Sequence, residues 1–126
     1  MRLPEIDIHC HILPGIDDGA EDLETSLAMA RAAVKAGFKT VIATPHYETY
    51  CFENTREVVL AQVAAFQLAL DREGIPLQVL PGSEVMLGPE IPKLLVEKQL
   101  MTLRDEGKQL LVELPLHTFP LWAEAV

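Results

Sequence analysis

The feature that most constrains this chain is an alternation between two kinds of apolar pattern. Within residues 21–36, Leu23, Leu27, Ala30 and Val34 fall at offsets of 0, 4, 7 and 11, which is one stripe of a helix. Glu21, Asp22 and Glu24 crowd its start, where the helix dipole favours acids, and Gly37 suits its stop. Val59, Val63, Phe66 and Leu70 repeat the same offsets, with Asn54 as the expected N-cap, Glu57 three residues on, and Gly74 as the stop. Short β-rich apolar runs lie around these stripes at 6–12, 40–44 (closed by Pro45), 77–80 and 109–114, with a short helix expected over 89–99. The predicted order is β-α-β-α-β-α-β. Strands that are apolar throughout belong in a parallel sheet covered by helices, so the expected fold class is α/β, built from parallel β/α units. No linker, low-complexity tract or repeat interrupts the pattern, which places residues 1–126 in a single domain.

Composition narrows the function. Hydrophobic residues make up 49% of the 126, enough for a core. Ten Lys and Arg against nineteen Asp and Glu leave a net charge of −9, and the basic residues are scattered, which argues against nucleic acid or an anionic membrane surface as a partner. Arg2, Arg31, Arg72 and Arg104 read as members of solvated faces. The opening stretch is broken by Glu5, Asp7, His9 and His11, unlike the apolar centre of a signal peptide. The nearly uncharged stretch 58–70 is shorter than the roughly 20 residues a membrane-spanning helix needs. No membrane insertion and a cytoplasmic location are therefore expected. Cys10 and Cys51 lack C-x-x-C spacing and read as reduced thiols.

Ionisable residues gather at the C-terminal ends of the expected strands, the edge where parallel α/β folds bind ligands. His9 and His11 end the first, His46 follows the second, Glu84 follows the third and Glu113 sits near the end of the fourth. Two histidines two residues apart on a strand share a face and can converge on one ion. Asp17 and Asp18 precede Gly19, which is good turn chemistry as well as a possible source of ligands. Glu113 lies in an apolar run with no Lys or Arg close in sequence to pair with it, so a bound cation is the economical reason for its burial. Imidazole and carboxylate without thiolate suit Mn²⁺, Fe²⁺ or Zn²⁺ better than Ca²⁺ or Cu⁺, and clustered ions suit phosphoester hydrolysis. His117 reads as a strand-end polar residue before a ligand. Tyr47, Tyr50, Phe52 and Arg56 form an aromatic loop that either faces a substrate or is merely exposed.

The motifs 6–19, 43–46, 81–84 and 111–115 together resemble those of the PHP (polymerase and histidinol phosphatase) superfamily, and within it the CpsB/CapC-type tyrosine phosphatases of bacterial capsule and exopolysaccharide systems. The resemblance implies a distorted (β/α)7 barrel, of which this chain is about half, and a manganese-favouring trinuclear centre, with iron, zinc or cobalt as alternatives. It also implies hydrolysis of phosphotyrosine on a cognate protein tyrosine kinase, which would be the phosphorylated partner. By motif, His9 and His11 match ligands of one metal, Glu84 a carboxylate bridging two, Glu113 a ligand of the second, and Asp18 and His46 ligands of the third. Relatives run to about twice this length, and their later His-Pro-Glu-Arg-like and Asp-x-His motifs do not occur here, so the expectation is a C-terminally truncated domain. The implied chemistry is direct attack by metal-activated water, which needs no cysteine. Two alternatives stand beside it: a non-catalytic fragment that binds only metal or a partner, and a phosphoesterase for a small molecule such as histidinol phosphate. Self-association into a homo-oligomer is left open by the sequence.

Overall fold

Two chain segments cross the molecule as bent strands, and the site lies where they bend. In the computed structural model, which describes residues 5–116, β2 (Phe38–Ala43) pairs in parallel with β5 (Gln78–Pro81). Beyond the two-residue breaks at Thr44-Pro45 and Gly82-Ser83, β3 (His46–Glu48) pairs in parallel with β6 (Glu84–Met86). Ala43↔Pro81 and His46↔Glu84 keep one sequence offset, so the two ladders are a single ribbon that bends without slipping. β1 (Glu5–Cys10) flanks β2 before the bend, β7 (Leu111–Glu113) flanks β6 after it, and both pairings are parallel. β4 (Phe52–Glu53) returns antiparallel to β3 as a hairpin. The sheets run β1-β2-β5 and β4-β3-β6-β7.

The bend has a local cause. Pro45 carries no N–H for a ladder. A Cβ at position 82 would lie 2.7 Å from the Ile42 side chain and 3.0 Å from the Ala43 carbonyl, so only glycine allows this approach. The Pro45 carbonyl accepts from the Glu84 N–H at 3.0 Å and the Ser83 hydroxyl at 3.3 Å, which carries the pairing across the break. Pro45 thus interrupts the second expected strand rather than ending it.

α1 (Leu23–Ala36) is capped by the Asp22 carboxylate, which accepts from the Thr25 N–H at 2.8 Å. Its buried positions are Ser26 and Ala30, and the stripe's first member, Leu23, is 45% exposed. α2 (Arg56–Arg72) buries Val59, Val63, Phe66 and Leu70 as the spacing predicts. Its cap is Thr55 rather than Asn54. The Asn54 amide instead donates to the Ile16 and His46 carbonyls, each at 2.9 Å, bracing the 11–22 loop against β3. α3 (Ile91–Val96) and a 3₁₀ turn (Leu103–Asp105) complete the described helices. The α2 stripe packs with Val41, Ala43, Leu77 and Val79 on one side of the bend, while Tyr47, Val85, Ile91 and Leu100 form a smaller core on the other.

β1 departs from its expected form. Its pairing shifts between Asp7 and Cys10, the mark of a bulge, and Ile6 and Ile8 are 58% and 55% exposed, so it is an edge strand with an open face among the described residues. No described helix is long and apolar enough to cross a membrane. Arg2 and His117 lie outside the described residues.

Candidate metal centre

The bulge and the bend bring four strand termini together, the ends of β1 and β7 and the starts of β3 and β6. His9 lies one residue before the end of β1, His11 follows the strand, His46 and Glu84 are register partners just past the bend, and Glu113 ends β7 beside Met86. The remaining two acids arrive on the loop before α1. Gly19 lets that loop press on the strand, since a Cβ there would overlap the Cβ and carbonyl of His11.

Three groups of donor atoms result, each with all members within 4.8 Å of one another: His9, His11 and Glu84; His11, Asp18 and His46; His46, Glu84 and Glu113. All six residues expected as ligands are thus brought together. Glu84 Oε1 lies 3.2 Å from His9 Nε2 and 3.0 Å from His11 Nε2. His46 turns Nε2 to Asp18 at 3.2 Å, and Nδ1 to Glu113 at 3.2 Å and Glu84 at 3.5 Å. His46 therefore borders two groups, whereas motif matching put it beside Asp18 alone. A neutral imidazole has one lone pair, so it can ligate through one nitrogen while the other N–H donates to a carboxylate.

Asp17, which the sequence offers as a turn residue or a ligand, belongs to none of the three donor groups and instead braces His11. Its side chain is 1% exposed and accepts three hydrogen bonds: from His11 Nδ1 at 2.9 Å, the Gly19 N–H at 2.9 Å and the His46 N–H at 3.0 Å. Burial alone would raise its carboxyl, but these bonds outweigh burial and hold it below the ordinary carboxylate range. The same hydrogen bond is the main cause that raises His11, burial opposing it and the charges of Asp17, Glu84 and Asp18 adding to it. A carboxylate can only accept, so His11 Nδ1 carries the proton and a neutral ring presents its Nε2 lone pair to Glu84 and, at 3.4 Å, to His9 Nε2.

With the Nδ1–H of His11 given to Asp17, the lone pair of its neutral Nε2 faces the Glu84 carboxylate, and the ion pairs recorded for Asp17, Asp18, Glu84 and Glu113 among the described residues are all with histidine. A divalent cation between such imidazoles and carboxylates relieves the repulsion, so the donor set fits a metal ion.

The neighbouring candidates divide. Cys10 and Cys51 are free, and burial together with the Asp7 charge pushes the Cys10 thiol up to about 11, which keeps it protonated and non-nucleophilic near neutral pH. Tyr47 is buried in the smaller core. Arg56 turns away and grips Asp105 through two hydrogen bonds of 2.8 and 2.6 Å, lining a cavity of about 470 Å³ that includes none of the six donors. Phe52 stays, stacked on His46.

The chain resembles known proteins along most of its length. A family model described as "Capsular polysaccharide synthesis, CpsB/CapC" matches residues 5–119. The chain is 44% identical over 119 residues to the tyrosine-protein phosphatase YwqE of Bacillus subtilis, covering 94% of this chain and 46% of that protein. It is 28% identical over 113 residues to the tyrosine-protein phosphatase CpsB of Streptococcus agalactiae, covering 90% of this chain and 46% of that one. It superposes with a TM-score of 0.91 and 44% identity on a solved chain among the crystal structures of YwqE from Bacillus subtilis and CpsB from Streptococcus pneumoniae, described as unique metal-dependent tyrosine phosphatases; the match covers 96% of this chain and 49% of that one. The chain thus spans about half the length of the curated relatives it matches.

Proposed function

As the chain belongs to the CpsB/CapC family of capsular polysaccharide synthesis, we propose that it carries the metal-binding edge of a phosphomonoesterase that hydrolyses phosphotyrosine on a protein. The observation that carries this reading is the packing of His9 Nε2, His11 Nε2 and Glu84 Oε1 against one another. Likeness to proteins named tyrosine-protein phosphatases supplies the substrate class.

In this reading His9, His11 and Glu84 would hold one ion, Glu84 and Glu113 would contribute to a second, and Asp18 and His46 would contribute to a third. Manganese is the expected ion, with iron, zinc and cobalt as competitors. Bound ions supply positive charge for the phosphoryl oxygens and a water of lowered pKa. The chain's own residues set the stage: Asp17 fixes the His11 tautomer, and the bend fixes where His46 and Glu84 begin. The β/α units amount to about half of a distorted (β/α)7 PHP-type barrel, forming one domain over 1–126. The phosphorylated partner is a tyrosine kinase of capsule or exopolysaccharide synthesis, met in the cytoplasm.

A second reading, metal binding without turnover, is favoured by one feature: three groups of three donors draw on only six residues, because His11, His46 and Glu84 each serve two. Hydrolysis of a phosphotyrosine peptide by the 126-residue protein with Mn²⁺, alongside His9→Ala, separates the two. Phosphate release abolished by His9→Ala supports the first, and Mn²⁺ binding without release selects the second. Release from histidinol phosphate but not from the peptide would move the substrate to a small molecule.

A further inference from the structure

The β3–β4 hairpin grows out of His46 itself, and its return strand lays the Phe52 ring on the His46 imidazole, with centroids 5.9 Å apart and planes 21° apart. His46 also stacks on His11, at 4.5 Å and 29°. Three rings thus lead from the donor cluster out to the hairpin, and the outermost is apolar and only partly buried. At the tip, Tyr50 is 98% exposed and held at φ 68°, a left-handed backbone that a bulky residue adopts at a cost. The turn is pinned there: the Tyr50 N–H donates to Glu53 Oε1 at 3.2 Å, the Cys51 N–H to the Glu48 carbonyl at 3.0 Å, and the Thr49 hydroxyl to Glu90 Oε1 at 3.3 Å. Asparagine or glycine would make this turn more cheaply, and the exposed Tyr50 ring adds nothing to the core.

We propose that this hairpin is a specificity wall: Phe52, with Tyr50 at its lip, receives the aromatic ring of an aryl phosphomonoester whose phosphate lies at the donor cluster. The inference rests on the phosphatase reading above and names which residues select an aryl over an alkyl ester. In an aryl phosphate the ring is a single P–O–C linkage from phosphorus, so a phosphate at the His46, Glu84 and Glu113 donors brings the ring within reach of the group stacked on His46. Aromatic rings attract one another at centroid separations of about 4.5–7 Å, and an alkyl ester has no π-face to offer.

Phe52 has a competing role, that of simply holding His46, and the variants are chosen to tell the two apart. Phe52→Leu keeps an apolar body against the imidazole but removes the ring, while Tyr50→Asn keeps a residue that tolerates the left-handed turn. The full chain, loaded with Mn²⁺, is titrated calorimetrically with phenylphosphonate and with ethylphosphonate, neither of which can be hydrolysed at phosphorus–oxygen ester bonds. Wild type should favour the phenyl compound about tenfold, Phe52→Leu should lose most of that preference with ethylphosphonate affinity unchanged, and Tyr50→Asn should lose roughly two- to threefold. Equal wild-type affinity for both compounds overturns the wall and leaves the phosphatase reading standing. Equal weakening of both by Phe52→Leu overturns it too, assigning Phe52 to the support of His46. Binding of Mn²⁺ with neither phosphonate overturns the phosphatase reading itself, and the wall with it.

Discussion

Asp17 and Asp18 are neighbours with the same side chain, yet they do different work. Asp18 is 69% exposed at its side chain and points to His46 Nε2, whereas Asp17 is buried and fixes His11 from behind. A carboxylate that holds a ligating imidazole in one tautomer contributes to metal affinity without touching the ion. Asp17→Asn keeps the volume but loses an acceptor and the charge, and it should weaken Mn²⁺ binding by about 10- to 100-fold while leaving the fold intact, as read by calorimetric titration and circular dichroism. Affinity unchanged from wild type would reduce Asp17 to a turn residue. Gly19 serves the same contact from the other side. Gly19→Ala must push the loop off His11, so a stability loss of about 1–3 kcal/mol is expected in urea denaturation. Five of the six donors were legible because histidines and glutamates at strand ends are costly unless they bind something, and Asp18 was legible through its motif. The division of labour between Asp17 and Asp18 was not legible, because Asp-Asp-Gly serves a turn and a ligand set equally well, and which acid turns inward depends on a loop position set by Gly19 and by the His46 N–H, a long-range partner.

At the scale of elements, legibility follows length and period. The α2 stripe could be read in full because four apolar residues at helical spacing all face one sheet. The three-residue strands β3 and β6 could not, since three residues carry no usable period and both follow residues that normally stop a strand. What lets the ladder resume is the Pro45 carbonyl, an acceptor on a residue that lost only its donor. Arg56 shows the opposite error, with a local reading placing it beside the aromatics when its partner lies far along the chain. Its grip on Asp105 ties the first turn of α2 to the 3₁₀ turn, and the Arg56 hydrogen bond holds the Asp105 carboxyl below its ordinary value of 3.8. A carboxyl depressed in the folded state binds fewer protons than in the unfolded chain, so its stabilisation is present above pH 3.8 and is lost as pH falls further. Arg56→Gln should therefore melt modestly below wild type at pH 7, and that gap should close below pH 3.8; a gap constant with pH would mean the ion pair contributes nothing.

For the molecule as a whole, the net charge of −9 and the donor cluster pull in one direction. Four carboxylates and three imidazoles meet at one edge, and every recorded ion pair of those carboxylates is with one of these histidines. The metal-free fold therefore stores repulsion where its strands converge, and a cation that binds the folded chain but not the unfolded one must raise stability by mass action. At a free Mn²⁺ concentration 100 times the dissociation constant the gain is about 2.7 kcal/mol, which for a chain of this size corresponds to a rise in Tm of roughly 10 °C. The expected result in a thermal melt at pH 7.5 is such a rise, saturating with Mn²⁺ and reversed by a chelator. General screening of the acidic surface predicts instead that sodium chloride at matched ionic strength would do as well. His9→Ala removes a donor that is half exposed, so its metal-free melting temperature should stay near wild type while its response to Mn²⁺ shrinks. If sodium chloride reproduces the Mn²⁺ effect, or His9→Ala retains it in full, the cluster is an acidic edge and not a metal centre.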